Sequence, residues 1–224
     1  MAAAWIALAL SLKVALWATA IDLVLGVAVG FALARLRFPG RELIDSLLLL
    51  PMVLPPTVLG YYLLVWVGRR GWLGAWLERR FDIHLVFTWQ GAVIAAALVA
   101  FPFVCKSARA AFEAVEPQYE EAASVLGLGR IATFCRVTLP LAWRGILAGL
   151  LLAFARSLGE FGATLMVAGS IPGQTQTLSI AVYEAVQAGQ DDLANLLVLL
   201  TSTACVIVLL VAGRFGAVRI PGRA

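Results

Sequence analysis

Few residues in this 224-residue chain could carry chemistry, and their scarcity narrows what it does. His84 is the only histidine, and Cys105, Cys135 and Cys205 stand far apart with no CxxC or CxH spacing. Neither a His-rich catalytic metal site nor a disulfide frame is written here, and the cysteines read as small buried residues. The only lysines are Lys13 and Lys106, and no GxxxxGK[ST] phosphate loop occurs, so the chain is expected to bind no ATP of its own. No Ser-His pair or pair of placed carboxylates supports an intramembrane enzyme, and the arginines form no basic stripe for nucleic acid. No cofactor and no metal is expected in this chain.

Two constellations remain. The first is PQYEEAASVLGLGRIATFCRVTLP, residues 117–140, the one extended polar stretch in an apolar sequence. Pro117 suits a first helical turn, and Glu120 and Glu121 lie near the positive helix start. Gly127 and Gly129 are expected to end that helix, and Pro140 to stand where the next begins. Such a segment is a folded foot between two membrane helices. Ala122 and Ala123 would let another helix come close, with Tyr119, Glu120 and Glu121 as polar anchors.

The second constellation is RSLGEFG, residues 156–162, inside an apolar run. Arg156 and Glu160 are four apart and share a helix face, where pairing lowers the cost of charge within a bilayer. They could line a pathway, balance two helix arrangements, or simply fix packing. Gly159 and Gly162 permit close helix approach. Thr57, Ser157 and Thr164 are further candidates for weak contacts along a pathway, or for capping kinks.

These residues need a membrane scaffold. With 62% hydrophobic and 13% charged positions the composition is that of an integral membrane protein, one domain over residues 1–224. Five spans are expected, with room for a sixth in the first 34 residues. The first is residues 14–34, preceded by a helical extension in the outer interface or a strongly tilted section. The others are 46–67, 87–105, 141–168 and 193–213. Pro51, Pro55 and Pro56 should bend or unwind the second, which suits a cavity better than a lipid face. Residues 68–85, with Trp72 and Trp76, read as an interfacial loop.

Eleven basic residues fall on the side that receives residues 35–41, 106–144 and the tail, against four on the other, all within 68–82. That asymmetry predicts an outside amino terminus, a cytoplasmic carboxyl terminus, and a foot in the cytoplasm.

The foot also resembles a known signature. Glu121-Ala122-Ala123, three residues, Gly127, nine residues and Val137-Thr138-Leu139-Pro140 is similar to the EAA signature of ABC-importer permeases, departing only where isoleucine is usual and Val137 stands. In that family the loop forms a coupling helix that docks on a cytoplasmic ATPase. The resemblance extends to the molybdate/tungstate permeases through residues 47–64, 85–96 and 154–183, with sulfate/thiosulfate permeases similar over the same regions. The run Gly173-Gln174-Thr175-Gln176-Thr177-Leu178 favours the molybdate group.

The resemblance implies a homodimer in the cytoplasmic (inner) membrane. It also implies two ATPase subunits holding ATP and Mg, and a periplasmic or surface molybdate-binding protein. The function it implies is ATP-driven import of molybdate or tungstate. A sulfate or thiosulfate permease is the near alternative, and a self-contained secondary transporter or channel the distant one. The latter predicts inverted repeats and an ion relay, and the sequence shows no clear repeat.

Overall fold

The apolar run at the amino terminus contains no proline, and in the computed structural model, which describes residues 2–216, it forms one helix, α1 (Ala2–Arg35), 34 residues long. At 1.5 Å per residue this is about 51 Å, longer than a hydrocarbon core. Its first turns pack against the carboxyl-terminal part of the chain. Ala4 and Ala7 are buried in a cluster with Leu178, Ala181 and Leu197, and the Leu178 N–H donates to Ser11 Oγ at 2.7 Å. No separate extra helix precedes the first span among the described residues.

Small residues recur along one stripe of α1: Ala4, Ala7, Ser11, Val14, Ala18, Gly26 and Gly30. From Val14 onward that stripe receives α6 (Trp89–Glu113). A Cβ at Gly26 would lie 2.9 Å from a Val104 methyl, and one at Gly30 2.8 Å from the Cys105 carbonyl oxygen. The two backbones are therefore nearly in contact, the small-residue mode of membrane helix packing. α6 begins at Thr88, whose Oγ1 accepts from the Gly91 N–H at 3.2 Å. The polar continuation expected after residue 105 is the same helix.

Proline breaks the second element more sharply than a bend within one span. It comprises α2 (Arg41–Leu47), α3 (Leu50–Val53) and α4 (Pro56–Val67), and the halves Arg41–Val53 and Pro56–Val67 meet at 111°. Leu54 and Pro55 are extended there, because the residue before a proline is driven out of the helical region. The interfacial segment contains α5 (Trp72–Phe81), with Trp72 exposed and Trp76 edge-on to Phe81.

The foot supplies α7 (Pro117–Val125) and α8 (Arg130–Thr133). A single π-helical turn, Phe134–Thr138, joins α8 to α9 (Leu139–Leu158). Pro140 therefore begins no new helix. The preceding turn widens so that the Leu139 N–H reaches the Phe134 carbonyl, and the chain passes the proline unbroken. The fourth span is Arg130–Leu158 instead of 141–168. Beyond it come α10 (Gly162–Ala168), α11 (Leu178–Gln187) and α12 (Asp191–Gly216).

Four helices are long and apolar enough to cross a membrane, and the bent α2–α4 pair makes a fifth crossing if it is one span. The protein is all helical among its described residues, and the five-span reading holds in this form. α6 is the central post, packed by α1, α9 and α10, with alanines 92, 95, 96 and 100 fully buried. The carboxyl-terminal residues used in the charge count at 219 and 223 lie outside the described residues.

Candidate functional site

Glycine decides the shape of the foot. Gly127 has φ +83°, and the N–H of Leu128 reaches the Ala123 carbonyl at 3.0 Å while that of Gly127 reaches Ser124 at 3.0 Å. This paired ending caps α7 and requires the left-handed conformation that glycine tolerates. Gly129 does not share that role. Its φ is −69°, and it opens α8 by accepting the Thr133 N–H.

Glu120 turns inward. Its Oε1 lies 2.8 Å from an Arg35 nitrogen and accepts from the Thr138 hydroxyl at 2.8 Å. Arg35 ends α1 and also donates to the Val115 carbonyl at 3.4 Å. One carboxylate thus ties the foot to the first helix and to the π turn leading into the fourth. As an outward anchor, the role expected of it, Glu120 is unsuited. Glu121 and Ala122 face outward, Tyr119 is half-exposed, and Ala123 is buried.

The foot also exposes three large apolar side chains. Val125, Leu126 and Ile131 are 88%, 82% and 82% exposed at its tip. They stand where α7 ends and α8 begins, and exposed apolar side chains of this size are of the kind that marks a protein contact. A cavity of about 580 Å³ behind the tip is lined by Phe31, Arg35, Leu128, Ile131 and Phe134.

A charged lattice beside the foot also escaped sequence reading, which took its arginines as topology signals. Asp45 pairs with Lys106 and, at 2.9 Å, with Arg109. Glu113 pairs with Arg41 at 2.9 Å and Arg109 at 2.8 Å. Together they fasten α2 to the carboxyl-terminal end of α6.

The RSLGEFG segment does not lie inside a continuous helix. α9 stops at Leu158, Gly159 follows, and α10 starts at Gly162. Arg156 and Glu160 pair at 2.7 Å across this break. Glu160 is 2% exposed, and its other oxygen accepts the Ala163 N–H at 3.0 Å, so the same carboxylate opens α10. Ser157 and Thr164 are buried and line no open surface in this conformation. Thr57 is exposed at the start of α4, where Pro56 and Thr57 abut Gly162; a Cβ on that glycine would meet Pro56 at 3.0 Å. The two broken helices therefore touch at their breaks.

The run at 173–178 folds a turn, and Gly173, Gln174 and Thr175 border a cavity together with Lys13 and Trp89. The buried Thr175 hydroxyl accepts the Ile171 N–H at 3.0 Å, and Gln176 bonds Glu184.

A sequence profile described as "Binding-protein-dependent transport system inner membrane component" matches residues 23–220. The molybdenum transport system permease protein ModB of Escherichia coli K12 is 45% identical over 208 residues, covering 92% of this chain and 91% of that one. A putative molybdenum permease of Bacillus subtilis, YvgM, is 43% identical and covers 83% and 82%. The sulfate permease CysT of Escherichia coli K12 is 41% identical over 73% of this chain and 59% of its own length. Among solved structures, the inward-facing MetNI methionine ABC transporter superposes with TM-score 0.67 at 15% identity over 95% of this chain and 92% of that one. A bacterial alginate ABC transporter in complex with its pentasaccharide-bound periplasmic protein gives 0.72 at 16% over 92% and 76%. The last two speak for the fold alone. With the match spanning nearly the whole length, this chain belongs to the binding-protein-dependent transport system inner membrane component family, the multi-pass permease subunits of ABC importers.

Proposed function

We propose that the chain forms, as a homodimer in the cytoplasmic membrane, the pathway of an ATP-driven importer for molybdate or the closely similar tungstate. Two cytoplasmic ATPase subunits, which hold ATP and Mg, grip the two feet. A periplasmic or surface-tethered binding protein delivers the dianion at the opposite end. The observation that carries the cargo is the identity of 45% to a molybdenum permease over almost the full chain.

The geometry fits such a coupling. Val125, Leu126 and Ile131 offer an apolar tip to a partner, and Tyr119 and Glu121 border it. Movement of the tip is passed to α1 through Arg35 and Glu120, and to α9 through Thr138 and the unbroken π turn. α9 ends at the break that touches the break of α4. Closing the ATPase pair would draw the feet together and rock these helices, exposing the pathway to the outside, and hydrolysis would reset it. A transient pathway needs only weak oxyanion contacts, and Thr57 and Arg156 are the break residues accessible for them.

Sulfate is the second reading, supported by 41% identity to a sulfate permease over 73% of the chain. Stimulation of ATP hydrolysis in the reconstituted complex by binding protein loaded with molybdate, tungstate or sulfate separates them. Molybdate and tungstate should stimulate; stimulation by the sulfate-loaded form alone would move the chain to the sulfate group.

A further inference from the structure

Lys13 is a cation that neither the foot nor the helix break uses. It is the only basic residue before Arg35 and stands on the same helix, about 33 Å away at 1.5 Å per residue. That separation places the two at opposite boundaries of a hydrocarbon core of about 30 Å. The Lys13 ammonium lies 3.6 Å over the centre of the Trp89 ring, which holds it in place. Lys106, the other lysine, pairs with Asp45, whereas Lys13 pairs with no carboxylate among the described residues.

The ammonium borders a cavity of about 330 Å³ where three parts of the chain meet: Leu10 and Lys13 of α1, Phe87 to Gln90 at the start of α6, and Gly173 to Thr175 of the turn after α10. No acid lines it. Three larger cavities with arginine in their walls each contain a carboxylate: Glu78 beside Arg69 and Arg70, Glu42 beside Arg37 and Arg41, and Glu120 beside Arg35. In those the positive charge is answered from within; here it is left open.

The two threonines of the lining are already engaged. Thr88 donates to the Leu85 carbonyl at 2.7 Å and accepts the Gly91 N–H, and Thr175 accepts the Ile171 N–H. Gln90 and Gln174 are exposed, and their carboxamides make no hydrogen bond among the described residues. A fixed ammonium with two free carboxamides and no carboxylate is a donor set for a small oxyanion.

The wall is held fixed as well. Phe87 has φ +60°, a costly conformation for a residue with a Cβ, and its N–H donates to the Val167 carbonyl at 3.0 Å. Its ring lies against Gly169, where a Cβ would meet it at 2.9 Å. α10 thus runs from the helix break at Gly162 to this wall, and its seven residues put the two about 10 Å apart.

We propose that this cavity is an entry site for the free oxyanion: Lys13 and the carboxamides of Gln90 and Gln174 hold the tetrahedral dianion on its way to the break. The inference rests on the importer reading, which brings the loaded binding protein to this end of the chain. One ammonium against a dianion is a weak hold, as a transit site needs. A lipid phosphate at the membrane boundary offers the same tetrahedral chemistry, and the test separates the two sources.

Because the chain has only two lysines, amine labelling read by peptide mass spectrometry carries its own control. The complete complex with its ATPase, purified in a phosphate-free maltoside detergent, is treated with an amine-reactive ester in molybdate or in chloride of equal ionic strength. With a Kd of about 1 mM and about 10 mM molybdate, Lys13 should label about tenfold more slowly while Lys106 is unaffected. Gln174→Glu puts a carboxylate beside the ammonium. It should abolish the protection and slow uptake by the reconstituted importer several-fold, with the melting temperature of the complex unchanged. Equal labelling of Lys13 in molybdate and chloride overturns the proposal. So does protection that appears only in phospholipid nanodiscs and ignores added molybdate, which assigns the cavity to a lipid phosphate, and so does parental uptake by Gln174→Glu. Failure of the importer reading looks different: the unmodified complex would show no ATP-dependent oxyanion uptake, whereas Lys13 labelling is scored without ATP.

Discussion

Arg35 and Glu120, 85 positions apart, meet at 2.8 Å where the first helix ends and the foot begins. The same carboxylate receives the Thr138 hydroxyl, so a displacement of α7 cannot leave α1 and α9 behind. Glu120→Gln keeps the shape and removes the charge. It should preserve folding and ATPase binding while cutting substrate-stimulated hydrolysis several-fold, about 1 kcal/mol of lost coupling for a partly exposed pair. Parallel binding and hydrolysis assays check this.

The two glycines of the foot should behave differently. Gly127→Val places a β-branched residue at φ +83°, costing about 1–3 kcal/mol, and should distort the tip and abolish co-purification with the ATPase. Gly129→Ala has ordinary backbone angles and open space around it, and should bind and transport like the parent.

If the apolar tip is the proposed ATPase contact, its loss should leave the membrane domain intact. Leu126→Asp is expected to lower ATPase affinity at least tenfold, about 1.4 kcal/mol or more. Glu121→Lys, at the border, should weaken it less. Unchanged co-purification of Leu126→Asp would remove the tip from the interface.

Helix packing gives a separate check. A methyl at Gly149 would lie 2.4 Å from the Ser107 Cβ, so Gly149→Ala should destabilise by about 1–3 kcal/mol through overpacking. Adding Ser107→Gly should recover part of that loss in thermal melting of the assembled complex.

The foot was readable because its punctuation is local: Gly127 ends a helix through its own backbone, and the spacing from Glu121 to Pro140 is a linear pattern. The long spans were readable from apolar runs for the same reason. The Arg35–Glu120 tie was not, since nothing in a linear pattern links residues so distant. Pro140 misled because its missing N–H is absorbed by a π turn that no residue type announces. The end of α9 at Leu158 was hidden in an apolar run that continues to Ala168, and the break is made by Gly159 and the capping carboxylate of Glu160. Asp22 was overlooked as one acid in an unbroken apolar stretch; its burial follows from the small-residue stripe that it shares with Ala18 and Gly26.

Uptake of labelled molybdate into proteoliposomes tests the central claim most directly. The vesicles would contain this chain, with or without its ATPase, with molybdate-loaded binding protein outside and ATP inside. Accumulation is expected only when chain, ATPase, ATP and loaded binding protein are all present. Equal uptake by the chain alone, without ATPase or ATP, would contradict the account and establish a self-contained transporter.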